Sequence, residues 1–382
     1  MQLLEGVRVI DFSKWLPGQY CGMLLGDYGA DVIKVEDLAG DSTRKFFPEK
    51  EPGMSYWHLM LNRNKRGIAL DLKNEAGREL LLKLLSEADV FLEGFRPGYL
   101  ARYGLDYETV HKVNPRLVYV SITGFGQSSH KPAHDLNVIG LAGLNSLDAQ
   151  GGGACVSEIQ VSALGSALNA LSGIAMSLFA RERTGEGQHL DVNLYATALS
   201  LQASAVSSLW GCEETGGKGF GRIAHYYNIY ETKDHRWLTV GTIEPKFWAR
   251  FCALIESPEL TSRQYDFAHK EELLALVGEK IAAKTLDEWK ALIGDEEFCV
   301  TPVNNLQEAL ASDLAAQTEL LISKESDLGP LRYLLGPVKF SASPANISRR
   351  APRHGEHTEE IMAAAGYSKE AIAKMRESGA IK

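Results

Sequence analysis

The chain has 382 residues, 45% of them hydrophobic, enough to bury one large core or two ordinary ones. Its formal net charge of −9 argues against nucleic acid as the main partner, because phosphate contact needs a net basic face, but leaves room for a small anion held by local cations. Five scattered cysteines without CxxC spacing (Cys21, Cys155, Cys212, Cys252 and Cys299) read as reduced thiols, not as a disulfide framework or a zinc site.

The opening MQLLEGVRVIDFS lacks a charged segment followed by a long apolar run, so no secretory signal is expected there. No run of about 18 apolar residues follows, and the expectation is a cytoplasmic chain with no membrane span. Residues 7–13 form a short buried-type strand. A helix is expected from Pro17 to Gly29, then a strand over 31–37. Strand, helix and strand in about 30 residues make a βαβ unit. Further strands are expected at 68–72, 89–95 and 117–126, with an amphipathic helix over 74–88 whose apolar residues recur at 80, 81, 82, 84 and 85. The pattern predicts a doubly wound α/β domain. The first βα turn, FSKWLPGQYCG, is not G-x-G-x-x-G, so nicotinamide-dependent chemistry is excluded at its own fingerprint.

Between Gly124 and Gly165 lies an isolated pair, His134-Asp135, set among glycine-rich turns that include GGG at 151–153. Turns that hold a titratable group beside free backbone N–H groups suit a general base. Residues 162–181 and 196–210 predict two small-residue helices, apolar nearly all round and hence buried in a core or at a subunit interface. The stretch 206–224 reads as a Gly-rich linker between a large domain (1–205 and 331–382) and a small one (225–330). In the small domain two strands are expected around a turn at Lys233-Asp234-His235. A helix from Glu244, amphipathic helices through 271–293, a strand at 299–305 and a helix at 306–317 follow.

Read in order, PGQYCGMLLGDYGADVIKVED, LNRNKRGIALDL, EGFRPG, GFGQ, HDLN and RERTGEGQHLDV resemble the family III CoA-transferase and α-methylacyl-CoA racemase superfamily over essentially the whole chain. HDLN at 134–137, IEPKFW at 243–248 and CVTPV at 299–303 resemble the racemase branch. The resemblance implies a large Rossmann-like domain built from both ends of the chain, a smaller inserted α+β domain, and an interlocked homodimer. It implies an acyl-CoA substrate, with coenzyme A as part of that substrate and no metal or redox cofactor.

Epimerisation of a 2-methylacyl-CoA moves a proton off and back onto the carbon beside the thioester carbonyl, which needs a base, an acid and donors for the enolate oxygen. The resemblance makes His134 the base on one face, Asp135 a group whose N–H contacts the thioester oxygen, and Glu244 a small-domain partner of the catalytic region. A buried structural histidine, a helix N-cap and a first-turn helix acid are the plainer readings of the three. The opposite-face acid should be an aspartate in a Q-V-S-D-L-G run, but here Gln160 to Gly165 reads QVSALG and Ala163 holds that position. The same aspartate is the nucleophile of the transferases. An engineered Asp→Ala variant, a natural non-catalytic subunit and one-base chemistry through His134 all remain open.

Phosphates need cations, and Arg44, Asn62, Arg63, Lys65, Arg66, Lys73 and Arg96 lie near strand ends or loops, where doubly wound folds put ligands. Solvated surface is the plainer reading of each. Asp37 stands where many family members have a cation after the VIKVE strand. Met54, Tyr56, Trp57 and Met60 are candidates to line an acyl pocket, and the Gly-rich 217–222 stretch to close over it. CoA transfer to a carboxylic acid, and CoA binding without turnover, are the rival functions.

Overall fold

A computed structural model of the chain describes residues 2–147, 156, 158–216, 224–294 and 298–382. The chain divides into two compact units: one from the described residues of 1–148, 153–203 and 318–382, the other from those of 204–317.

The first unit is built on a parallel six-stranded sheet. Its strands are β1 (Arg8–Phe12), β2 (Asp31–Glu36), β5 (Lys65–Ala69), β6 (Val90–Glu93), β7 (Val118–Thr123) and β8 (His189–Asn193). The short hairpin of β3 (Glu49–Glu51) and β4 (Met54–Ser55) stands apart. The sheet order β5-β2-β1-β6-β7-β8 is, with the hairpin set aside, 3-2-1-4-5-6. That order reverses between β1 and β6, where a doubly wound sheet opens a crevice at the C-terminal strand ends.

Both faces of the sheet are covered, which is why its strands read as near-continuous apolar runs. One core carries Ile10, Ile33, Ile68 and Phe91 against α3 (Glu75–Ser86), α14 (Thr358–Ala364) and α15 (Lys369–Glu377). The other carries Val9, Val32, Val90 and Val120 against α1 (Trp15–Asp27), α5 (Asp135–Leu141) and α6 (Val161–Thr184). The chain's C-terminal end returns to the sheet edge, where Lys382 N–H donates to the Ala69 carbonyl at 3.2 Å.

Several expected boundaries move. The strand expected at 68–72 begins at Lys65, because it opens on buried Lys65 and half-buried Arg66 instead of an apolar run. The helix expected over 196–210 is two helices, α7 (Leu194–Ser200) and α8 (Ala203–Thr215). The expected linker at 206–224 is therefore helical as far as Thr215, since Ala and Ser outweigh the single Gly211. Residues 217–223, and with them the proposed glycine-rich flap, lie outside the described residues, as does GGG 151–153. The first unit resumes at Thr318 rather than 331, so the hairpin of β12 (Leu321–Lys324) and β13 (Leu331–Leu334) belongs to it. One amendment concerns membranes: by length and composition α6 could cross one. Here it packs on α1, α7 and β7 within the first unit.

The second unit has an antiparallel sheet, β11 (Val300–Pro302), β10 (Trp237–Gly241) and β9 (Tyr227–Glu231). Helices α9 (Pro245–Leu254), α10 (Lys270–Ala282) and α11 (Leu286–Ile293) bury Trp248, Phe251, Val277, Ile281 and Trp289 around it. Both buried indoles are satisfied, Trp248 by the Leu260 carbonyl at 3.0 Å and Trp289 by that of Ile281 at 2.9 Å.

Candidate active site

The crevice predicted by the strand order is a cleft of about 660 Å³ in the first unit. Its walls come from the segments that leave β1 (Lys14 to Pro17), β6 (Gly94 to Pro97) and β7 (Ile122 to Gly124), and from Leu194 after β8. His134, Asp135, Glu158, Gln160 and Ala163 complete it.

His134 reaches the cleft because the loop after β7 folds back tightly. A Cβ on Gly124 would lie 2.1 Å from the Ala133 Cβ, so only glycine lets the 133–134 segment approach the strand end. Asp191 on β8 ties the same loop by accepting from Gln127 N–H at 3.0 Å. His134 is the N-cap of α5, and its N–H donates to Asn137 Oδ1 at 2.6 Å. This explains the second half of the HDLN motif: Asn137 fixes the backbone that presents the histidine. The imidazole is exposed and meets Trp15 edge-on, ring centroids 5.6 Å apart. Trp15 has φ +66°, a left-handed conformation that a bulky side chain rarely adopts, and Phe46 and Trp57 continue the aromatic wall behind it.

Asp135 has a different task from its neighbour. Its Oδ1 accepts from Ser162 Oγ at 2.6 Å and from Ala163 N–H at 2.9 Å. A carboxylate at the start of α6 satisfies orphan helix donors and complements the helix dipole. Ala163 itself is 3% exposed and lines the cleft with no polar side-chain atom to offer. Glu244 lies in the second unit, exposed, as the N-cap of α9, and its side chain makes no capping bond. The helix begins one residue later than expected, at Pro245, whose missing N–H costs nothing in the first turn.

The expected phosphate cations separate into two groups. Arg63 and Lys65 are fully buried. Arg63 forks onto Asp27 at 3.0 and 2.6 Å, and Lys65 gives its three donors to Asp11, the Gln19 carbonyl and Asn62 at 2.7, 3.0 and 3.0 Å. Arg44 pairs with Glu36 and donates to the Pro352 carbonyl. Its guanidinium and nearby Lys34 overcome the burial that opposes charge on Glu36, holding that carboxyl well below the usual range. Asn62 is buried between His58 and Gln19, and Arg66 pairs with Asp31 and Glu360. Arg44, Arg63, Lys65 and Arg66 spend their donors on carboxylates and carbonyls, and Asn62 on its neighbours, so a phosphate would have to displace partners already in place, stranding a charge wherever the cation is buried. Their sequence pattern signalled a polar framework under the sheet.

Arg96 and Lys73 are exposed and have no ion-pair partner among the described residues. Arg96 lines the main cleft, and Lys73 lines an adjoining groove of about 380 Å³ with Phe95, Tyr99 and Tyr103. The sequence reading missed Lys131, an exposed cation of the cleft wall without a described ion pair, and Trp15. Lys131 stands three residues before His134, a proximity that a search for clustered charge overlooks. Of the four acyl-pocket candidates only Trp57 lines the cleft; Met54 is buried beneath Arg44.

Beside the cleft, Glu93 ends β6 and holds the Gly94–Pro97 segment by accepting from Phe95 N–H at 2.8 Å. Burial, with Asp191 nearby, pushes its carboxyl up to about 7.

Comparison with known proteins fits this geometry. A sequence model described as CoA-transferase family III matches residues 4–358. An acyl-CoA transferase of Fusarium pseudograminearum is 32% identical, covering 99% of this chain and 88% of its own length. The human α-methylacyl-CoA racemase is also 32% identical, over 97% of this chain and 95% of its own. The crystal structure of a CAIB/BAIF family protein from Brucella suis matches with a TM-score of 0.82 at 27% identity, covering 95% and 99% of the two chains. The chain belongs to the CoA-transferase family III, whose members include racemases and transferases acting on acyl-CoA thioesters.

Proposed function

We propose that this chain transfers a proton at the α-carbon of an acyl-CoA, epimerising a 2-methylacyl thioester, with His134 as the base on one face. The observation that carries the reading is the pairing, in one cleft, of an exposed imidazole with an alanine at position 163. CoA transfer through an acyl anhydride needs a carboxylate nucleophile at 163, and no other group at that position replaces it. Proton abstraction loses one of its two transfer groups there and keeps the other.

Around His134 the remaining roles follow from chemistry. The N–H of Asp135, at the start of α5, is the donor for the enolate oxygen, while its carboxylate anchors α6. Arg96 and Lys131 at the cleft and Lys73 in the groove are the cations for the CoA phosphates, with Tyr99 and Phe95 as aromatic faces for the adenine. Coenzyme A enters as part of the substrate. A second copy of the chain is the proposed partner, supported by the exposed apolar stripe of Leu168, Met176 and Phe179 along α6.

The transferase relatives favour a second reading, CoA transfer between an acyl-CoA and a carboxylic acid. The two are separated by incubating the protein in deuterated water with one 2-methylacyl-CoA and no other acid. Epimerisation predicts deuterium at the α-carbon. Transfer predicts none, but exchange of CoA once a free carboxylate is added and an acyl-enzyme cleaved by hydroxylamine. CoA binding with neither reaction would identify a non-catalytic subunit.

A further inference from the structure

We propose that Glu158 supplies the second proton-transfer group that position 163 lacks; this rests on the α-proton reading above. Among the described residues, two carboxylates line the cleft with His134: Asp135 and Glu158. Asp135 is committed, since its Oδ1 already takes the Ser162 hydroxyl and the Ala163 N–H. Glu158 is exposed and has no ion-pair or hydrogen-bond partner among the described residues. It stands on the segment that runs through Gln160 into α6, so it shares a wall with Ala163, whereas His134 arrives from the loop before α5.

The step balances without a co-reactant. Glu158 as carboxylate takes the α-proton, the C–H electron pair passes into the enolate, and the protonated imidazole of His134 returns a proton to the opposite face of the α-carbon. The product is the C2 epimer of the thioester; neutral His134 and protonated Glu158 are the starting state for the reverse reaction, with solvent water exchanging their protons.

The test uses the full-length chain and both C2 epimers of 2-methylbutanoyl-CoA in deuterated water, following inversion and α-deuterium separately. The parent should do both. Glu158→Gln should lose inversion by about 10²–10⁴-fold, the usual weight of a positioned acid–base group. It should keep deuterium wash-in on the one epimer whose proton faces His134. That one-sided exchange cannot come from a misfolded protein. His134→Ala should show the complementary one-sided loss, and Ala163→Asp added to Glu158→Gln should restore inversion. Inversion by Glu158→Gln at the parent rate overturns the assignment while leaving the α-proton reading intact. Loss of exchange on both faces in Glu158→Gln also overturns it, because position 158 would then act on binding or structure. A parent with no α-exchange overturns the α-proton reading, and this assignment with it.

Discussion

Glu93 stores a measurable penalty next to the cleft. Its carboxyl titrates near 7 in the folded chain against an ordinary value of 4.5, because burial disfavours the charged form. The folded state therefore holds a proton between those values that the unfolded state has released. The stability this group contributes is complete below about 4.5 and is lost as pH rises through 7, a change of about 3 kcal/mol. Glu93→Gln keeps an acceptor for Phe95 N–H but cannot ionise. In urea unfolding from pH 4.5 to 8 the stability of the parent should fall relative to that of the variant as pH rises; parallel curves would mean that Glu93 ionises freely. Other single residues were legible in the sequence to different degrees. His134 and Ala163 stood out through the motifs around them, and both line the cleft. Arg63 and Lys65 misled, because a run of basic residues looks alike whether it faces solvent or pairs with distant carboxylates. Asp11 and Asp27, which neutralise them, lie 54 and 36 positions away in the chain.

At the level of elements, alternating apolar strands and amphipathic helices announced the doubly wound sheet, since the period of burial is a local property. The switch point between β1 and β6 was not legible, as strand order depends on pairings between segments far apart. The motif glycine at 165 acquires a packing role through the fold. A Cβ there would lie 2.8 Å from Thr197 Cγ2 and 3.3 Å from Leu201 Cδ1, so α6 and α7 approach because this side chain is absent. Gly165→Leu should gain about 1 kcal/mol in helix propensity but lose about 3 kcal/mol to overpacking. Thermal unfolding should show a net loss near 2 kcal/mol; an unchanged or raised melting temperature would show that the helices separate without cost. Asp135 couples α6 to a different helix, joining the first turn of α5 to that of α6.

At the scale of the whole molecule, α6 of the first unit and α8 of the second each expose apolar side chains. Met176 and Phe179 are 65% and 62% exposed, and no residue of α8 is buried, with Leu209 and Trp210 among the most open. Apolar stripes of this kind are sites of association when they are contiguous. We expect a dimer in solution. Phe179→Asp should shift it toward monomer in sedimentation velocity while leaving the circular-dichroism spectrum unchanged, because the side chain lies outside the unit's own core. A parent that sediments as a monomer at micromolar concentration would remove the dimer from the account.

The central claim is that His134 moves an α-proton in a cleft whose position 163 carries no nucleophile. It is tested most directly by mass-spectrometric detection of α-deuterium in 2-methylbutanoyl-CoA incubated with the protein in deuterated water, with no second carboxylic acid present. Deuterium should be incorporated, and His134→Ala should abolish the incorporation for the epimer whose proton faces it. Absence of deuterium in the parent, together with CoA exchange once a free acid is added, would contradict it.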